Sequence, residues 1–316
     1  MTNRAGGDIE YELDIAAVSD AYERRVGGAC PERLPLAMRL LDRLPPNRWT
    51  LEWHLPWWLG RAVGLHPEVA REIVLSNVFG LGSIRLADDL TDGEVAPDEV
   101  EAARELAAVL YELALEPYRL WFDAGSPFWG HLERRMAAWR AAGDDRYVAD
   151  LTTADLAARG APLHVGAVAV LLMAGRAELY GPLASCLDHA LEALVLYDHV
   201  ADWEADLEAG RWNAFVAATS SGPQNAETRD RHRTATYVAM LTSTIVASYF
   251  DRIDEQLLRA ATIADKLDPA VPPLAEHLRS FAAGVREQGA TIAGQYQDLG
   301  ERAAKRLFPT LVDHRS

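Results

Sequence analysis

Apolar residues recur at helical spacing along most of the chain. The period is clearest in three runs, Val69 to Ile84, Val100 to Leu115 and Ala235 to Ala264. No β-branched run alternates with polar residues around an Asn-Gly or Asp-Gly turn, so strands are not expected. The pattern predicts an all-α fold of roughly ten or more helices.

Short clusters of Pro, Gly, Ser, Asp and Asn separate the helical runs. They fall at residues 45–46, 125–127, 143–145, 220–225 and 268–273. None is long enough to be a linker between domains. We expect a single all-helical domain over residues 1–316, with an N-terminal helical extension over 1–45 and a core bundle over 46–310.

Charge and cysteine usage exclude several classes of protein. The chain has 316 residues and a net charge of −16, from 31 Lys and Arg against 47 Asp and Glu, so no nucleic-acid partner is expected. Cys30 and Cys186 show neither zinc-site spacing nor a disulfide framework. Met1 to Gly7 is polar, and the apolar stretch Val165 to Gly175 is too short to span a bilayer. We therefore expect a cytoplasmic protein without stable membrane insertion, and we expect Val165 to Gly175 to form a buried helix.

The first candidate site is the acidic cluster Asp88-Asp89-Leu90-Thr91-Asp92. Asp88 and Asp92 are four residues apart, so both carboxylates leave one face of a helix, one turn apart. Gly93 follows directly and is a plausible helix end. Ile84, one turn before Asp88, indicates that this face lies toward the protein interior.

The second candidate site is the triplet Asp198, Asp202 and Asp206, which precedes Gly210 and Arg211. Spacing alone proves little, because 47 acids in 316 residues give roughly seven such i,i+4 pairs by chance. Apolar neighbours one turn before Asp198 indicate that these acids also lie toward the buried side. A buried unpaired carboxylate costs several kcal/mol, which a bound cation would offset, and an all-oxygen site suits Mg²⁺. The simpler alternative is a solvated acidic face.

Both clusters resemble motifs of the class I isoprenoid synthases. Asp88 to Asp92 resembles the DDxxD motif of that family, and Asp198 to Asp202 resembles the second aspartate motif of polyprenyl diphosphate synthases. Asp202 to Arg211 is similar to the DxxxDxxxGR pattern of squalene and phytoene synthases. Arg159-Gly160-Ala161 stands where the family has a basic residue and a helix break. The resemblance covers roughly residues 50 to 300.

The resemblance implies a helical bundle with a central active-site cavity that binds an isoprenyl diphosphate and Mg²⁺, in the form of three ions. It implies a metal-binding set, consisting of Asp88, Asp89, Asp92, Asp198, Asp202 and Asp206. It implies a diphosphate-binding set, consisting of Arg159, Arg211 and Arg85. The catalytic set consists of Asp88, Asp92, Asp202 and Arg159. Arg85 has an equal alternative role as a structural partner of the first acidic cluster, and His199 is a candidate polar group behind the metal site.

Departures from the family pattern favour one of its members. Chain-elongating enzymes carry an Arg-Arg pair after the first motif and several lysines for a second diphosphate. Here Gly93-Glu94 follows, and the chain has only two lysines, Lys266 and Lys305. These features predict a terpene cyclase that acts on one linear C15 or C20 diphosphate. No general base is identifiable, and the released diphosphate could take the proton.

Two other functions remain open. The first is a prenyltransferase, either of the head-to-head squalene or phytoene type or one that prenylates another acceptor. The second is a non-catalytic helical partner subunit. A homodimer is a possible assembly for each of these functions.

Overall fold

The computed structural model describes residues 11–142 and 152–307, and within these ranges the protein is all-α, with thirteen α-helices and no strand. The first seven are α1 (Ile15–Ala29), α2 (Leu34–Asp42), α3 (Thr50–Ala62), α4 (Pro67–Thr91), α5 (Val100–Trp121), α6 (Pro127–Ala142) and α7 (Thr153–Ala157). The others are α8 (Leu163–Met173), α9 (Tyr180–Ala209), α10 (Ala214–Thr219), α11 (Arg229–Thr242), α12 (Ile245–Asp265) and α13 (Pro272–Leu307). The predicted fold class is confirmed.

The helices divide into two compact units. The first unit consists of the described chain up to Met136 together with Pro162–Pro182 and Leu267–Leu274. The second unit consists of Ala137–Ala161, Leu183–Lys266 and the described chain from Ala275 onward. The expected single domain over 1–316, with its 1–45 extension and 46–310 core, stays a prediction.

In the first unit, α4 packs mainly against α5 and α3, and α8 packs against α3 and α4. Helix α8 is buried from Leu163 to Leu171, as the apolar stretch that begins at Val165 predicts. The aromatic side chains Trp53 and Phe79 are almost fully buried in this core. Burial of such a side chain contributes about 1.5–3 kcal/mol to the free energy of unfolding, so the packed core of this unit holds α4, which carries the first acidic motif, in place.

In the second unit, the short helix α10 packs against α11 and α12. The prediction of one helix from Ala235 to Ala264 is wrong, because the helix is interrupted at Ser243, between α11 and α12. The Ser243 hydroxyl donates to the Ala239 carbonyl and accepts from the Ile245 amide, which satisfies backbone groups at the break.

The predicted breaks at 45–46, 125–127, 220–225 and 268–273 are confirmed as interruptions between helices, and α6 begins at Pro127 and α13 at Pro272, the last part of two of these breaks. The break at 143–145 lies outside the described residues. No single described helix is long and apolar enough to cross a membrane, although Thr153–Gly160 and Leu163–Met173, a bent pair, together meet that criterion by length and composition.

Candidate functional site

The first acidic motif lies at the C-terminal end of α4. The helix ends at Thr91, Asp92 caps it, and Gly93 takes a φ of 69°, a left-handed conformation that favours glycine. Asp88 is half-buried and Asp92 is exposed. The predicted helix end is confirmed, and it places the two carboxylates one turn apart where the helix meets the loop.

Asp88 and Asp89 are neighbours in sequence but differ in environment. The Asp89 side chain is only 4% exposed, and its oxygens lie 2.9 Å from Arg43 Nη1 and 3.4 Å from Arg85 Nη2. Burial raises the pKa of Asp88 to about 6, Arg85 opposes that rise, and Asp92 and Asp89 add to it. Asp89 therefore has two cationic partners, whereas Asp88 lacks full charge compensation and would gain from a nearby cation.

A half-buried strip runs along α4 from Asp88 toward the N-terminus of the helix. It consists of Asn77, Leu81, Ile84 and Asp88, which fall within about 60° of one another around the helix axis. Beyond Asn77 the same face is fully buried at Ile73. The strip is polar at both ends and apolar between them, so it matches an elongated apolar molecule with a charged head.

Beside this motif, three arginines line one recess of the first unit. The recess has a volume of about 280 Å³, and its arginines are Arg43, Arg48 and Arg85. The Arg85 guanidinium lies 5.8 Å from the ring centre of Trp49, and Asp42 also lines the recess. The recess is therefore a candidate anion site, with part of its charge offset by Asp42 and Asp89.

The second acidic motif lies on the last three turns of α9, which ends at Ala209 before Gly210 at a φ of 72°. Asp198 and Asp202 are exposed and Asp206 is half-buried. The expectation that these acids face the interior is wrong for Asp198 and Asp202. Each i+4 step advances about 400°, so only Asp206 turns far enough toward the buried side of the helix.

Asn213 holds the end of α9 to the start of α10 and is fully buried. Its amide donates to the His199 carbonyl at 2.9 Å and to Asp206 Oδ2 at 2.8 Å, while Arg211 Nε donates to Asp206 Oδ1 at 3.1 Å. Its side-chain oxygen accepts from two amides of the first turn of α10. Asn213 is therefore a central positioning residue that sequence analysis missed, because a loop asparagine before a helix shows only its capping role.

Arg159 and His199 point hydrogen-bond donors at each other. The Ala214 amide donates to His199 Nδ1 at 3.1 Å, so a neutral ring carries its proton on Nε2, which lies 3.5 Å from Arg159 Nη1. Burial, aided by Arg159, lowers the pKa of His199 to about 3, which keeps the ring neutral. An anionic oxygen that accepts from both groups would be stabilised here.

Trp212 completes this group of donors. Its ring centre lies 5.7 Å from the Arg159 guanidinium carbon and 5.5 Å from the His199 ring centre. Its indole N–H is buried and has no hydrogen-bond partner among the described residues. The three side chains therefore form a second candidate anion site, in the second unit.

The predicted helix break near Arg159 is confirmed. A single 3-10 turn, Ala158–Gly160, follows α7, and a Cβ at Gly160 would lie 2.3 Å from a methyl carbon of Leu191. A side chain at position 160 would collide with α9. Glycine therefore allows the close approach that brings Arg159 beside His199.

The residues fit Mg²⁺ in the chemistry of their donors. Within the part of the chain that the structure describes, no three Asp, Glu, His or Cys side chains are gathered closely enough to hold a metal ion. Mg²⁺ is commonly held by only one or two carboxylates together with substrate phosphates, so such a cluster is not required. Asp88 and Asp92 in the first unit, and Asp198 and Asp202 in the second, could act in this way. Asp89 and Asp206 form ion pairs with arginines.

The sequence matches no protein-family model and no curated protein sequence. The fold is similar to that of a solved structure, the geranylgeranyl pyrophosphate synthetase from the archaeon Geoglobus acetivorans. The TM-score is 0.63 at 14% sequence identity, over 86% of this chain and 98% of that one. The comparison places the chain in the all-helical fold of a prenyl diphosphate synthase, as the motifs predicted.

Proposed function

We propose that this protein is a Mg²⁺-dependent class I terpene synthase that ionises one linear isoprenyl diphosphate and cyclises the resulting carbocation. The observation that carries the proposal is the strip on α4, where an incompletely compensated carboxylate, Asp88, stands at one end of an apolar surface. The fold likeness and the two acidic motifs support the same substrate class.

In this proposal, the Mg²⁺-binding carboxylates are those of Asp88 and Asp92 in the first acidic motif and those of Asp198 and Asp202 in the second acidic motif. Bound Mg²⁺ would neutralise the diphosphate and make it a better leaving group. Asp89 and Asp206 keep the arginines beside them in place. Asp89 and Asp206, which are also predicted as metal-binding residues, have this supporting role in the proposal, and the other four aspartates carry the metal-binding role.

Arg159, His199 and Trp212 would bind diphosphate oxygens through their N–H groups. Charge-assisted hydrogen bonds of this kind are about twice as strong as neutral ones. Arg211 and Arg85, each in an ion pair with a motif aspartate, would turn toward the diphosphate when the metal ions arrive. Leu81 and Ile84 would contact the prenyl chain and keep water from the cation.

A prenyltransferase is the second candidate, and the arginine-lined recess favours it. A second diphosphate would find Arg43, Arg48 and Arg85 there, in place of the lysines that the sequence lacks. Asp42 and Asp89 offset two of those three charges, which leaves one net positive charge against a diphosphate of roughly three negative charges. This shortage is the reason that we prefer the cyclase.

Product analysis tests the proposal and separates the candidates. The protein is incubated with Mg²⁺ and a C10, C15 or C20 linear diphosphate, with and without isopentenyl diphosphate, and products are identified by mass spectrometry. A cyclic hydrocarbon or alcohol from one substrate supports the cyclase. Turnover only when a second substrate is present supports the prenyltransferase. No release of diphosphate under any of these conditions contradicts both.

Asp88→Asn is the variant for the site, and Asp20→Asn is its control, because Asp20 is an exposed acid on α1. The first should lose turnover and the second should keep it. Melting temperatures with and without Mg²⁺ and inorganic diphosphate address the non-catalytic alternative, since a ligand that binds the folded state raises the melting temperature. A shift in the parent that Asp88→Asn lacks would support a working site.

A further inference from the structure

Glu52 is a carboxyl group that neither acidic motif explains. It lies in the first turn of α3, is half-buried, and forms no ion pair with the described residues. Its neighbours in that turn, Leu51 and Trp53, are buried core residues. An uncompensated carboxyl group in such a setting lowers the stability of the folded protein, so its presence there indicates a functional role.

Asn77 links the backbone of Glu52 to the strip on α4. Asn77 Nδ2 donates to the Glu52 carbonyl at 3.3 Å. Asn77 is itself held on its other side, because a Cβ at Gly166 of α8 would lie 2.4 Å from Asn77 Oδ1. Three helices of the first unit, α3, α4 and α8, thus meet at a built polar position.

This polar position is the closed end of the strip. Asn77 and Asp88 are separated by about three turns, which is about 16 Å of helix, and by about 20° around its axis. Leu81 and Ile84 lie between them, and Ile73 closes the face beyond Asn77. A prenyl chain whose diphosphate lies at Asp88 and whose carbons follow this strip would bring its far portion to Glu52.

We infer that Glu52 is the proton acceptor that ends the reaction, with Asn77 as the residue that anchors the Glu52 backbone beside the strip. This inference rests on the proposed function. The Glu52 carboxylate removes a proton from a carbon adjacent to the cationic carbon. The electron pair of that C–H bond becomes the new C=C bond, which discharges the cation. The Glu52 carboxylic acid then gives its proton to water when the product leaves.

Further properties of Glu52 suit this role. Burial raises its pKa to about 7, while a hydrogen bond from its own amide opposes that rise. A base with a pKa near the working pH can both accept a proton and release it again. Asp88, where the proposed function places the diphosphate, lies at the other end of the strip, so proton transfer to Glu52 would take place away from the leaving group.

Two readouts from the same reaction test the inference. Diphosphate release reports ionisation, and the product spectrum reports how the cation is quenched. We expect Glu52→Gln to release diphosphate within about threefold of the parent rate while the share of the parent's main alkene falls at least fivefold. Alcohols, or alkenes formed by loss of a different proton, should replace it. Glu23→Gln, an exposed acid on α1, should change neither readout.

Glu52→Asp is the second variant, since a shorter carboxylate should retain the parent alkene as the main product. Helical circular dichroism checks that each variant is folded. If Glu52→Gln gives the parent product spectrum, or if Glu52→Asp and Glu52→Gln change the products alike, Glu52 is not the base. If the parent itself releases no diphosphate from any linear prenyl substrate, the proposed function fails, and this inference fails with it.

Discussion

The half-buried carboxyl of Glu52 should make the stability of the protein depend on pH in a defined direction. Burial raises its pKa from 4.5 to about 7. The folded state therefore binds a proton over a pH range in which the unfolded state has already lost it. Stability falls as the pH rises from about 4.5 to about 7, and it stays at the lower level above that range.

The magnitude follows from the size of the pKa change. A difference of this size corresponds to about 3 kcal/mol, because each pKa unit is about 1.4 kcal/mol. Glu52 is half-buried and keeps some contact with solvent, so we expect 1 to 3 kcal/mol, with about 3 as the upper bound. Glu52→Gln keeps the shape of the side chain and removes the charge. It should be about as stable as the parent near pH 4.5 and more stable by roughly this amount near pH 8.

Urea unfolding followed by helical circular dichroism at several values between about pH 4.5 and pH 8 measures the difference. Other titrating groups, such as Asp88, are present in both proteins and cancel when the two curves are subtracted. Glu23→Gln serves as the exposed control and should show a flat difference across this range. A flat or reversed difference for Glu52→Gln would refute the interpretation that Glu52 is an uncompensated, desolvated carboxyl.

Three further variants test the candidate site. Asp88→Asn should abolish diphosphate release, which an activity assay measures. It should also stabilise the metal-free protein above about pH 6, because burial raises the pKa of Asp88 to about 6; urea unfolding measures this effect. Asp202→Asn should also abolish turnover. Its metal-free stability should change by less than about 0.5 kcal/mol, as should that of the control Asp251→Asn, because both acids are exposed. Equal activity of these two variants would contradict the second metal-binding motif. His199→Phe should weaken the binding of Mg²⁺-diphosphate at least tenfold, as measured by calorimetry. It should also lower the free energy of unfolding by about 1–3 kcal/mol, because the Ala214 amide loses its acceptor. Unchanged affinity would show that His199 is not part of the anion site.

The sequence alone was sufficient for the helical architecture where periodicity is long and its ends are marked. The apolar spacing predicts α4 and α5, and Gly93 correctly marks the end of α4. These features are local, because helical hydrogen bonds and a left-handed glycine depend on residues within one turn. The same locality explains why the motifs could be identified. It also explains the error at Ser243, because the apolar spacing from Ala235 to Ala264 predicts one helix where the structure has two.

The roles of individual acids were decided by tertiary structure. Asp88 and Asp89 differ by one position, yet only Asp89 meets both Arg43 and Arg85. Arg43 comes from the segment after α2, and no local pattern reveals such a contact. Asp202 was expected to face the interior and is exposed, because a small rotation of a helix relative to its neighbours decides which of several equivalent faces is covered.

The environments of Glu52 and His199 also could not be predicted from the sequence. In the sequence, Glu52 is an ordinary acid in the first turn of a helix, and the contact between its carbonyl and Asn77 of α4 spans 25 residues. The tautomer of His199 depends on the Ala214 amide, fifteen residues away. Desolvation and hydrogen-bond geometry arise only when distant segments pack together. The sequence therefore determines which residues could carry the chemistry, and the packing of the helices determines the charge, the exposure and the partners with which each of them would act.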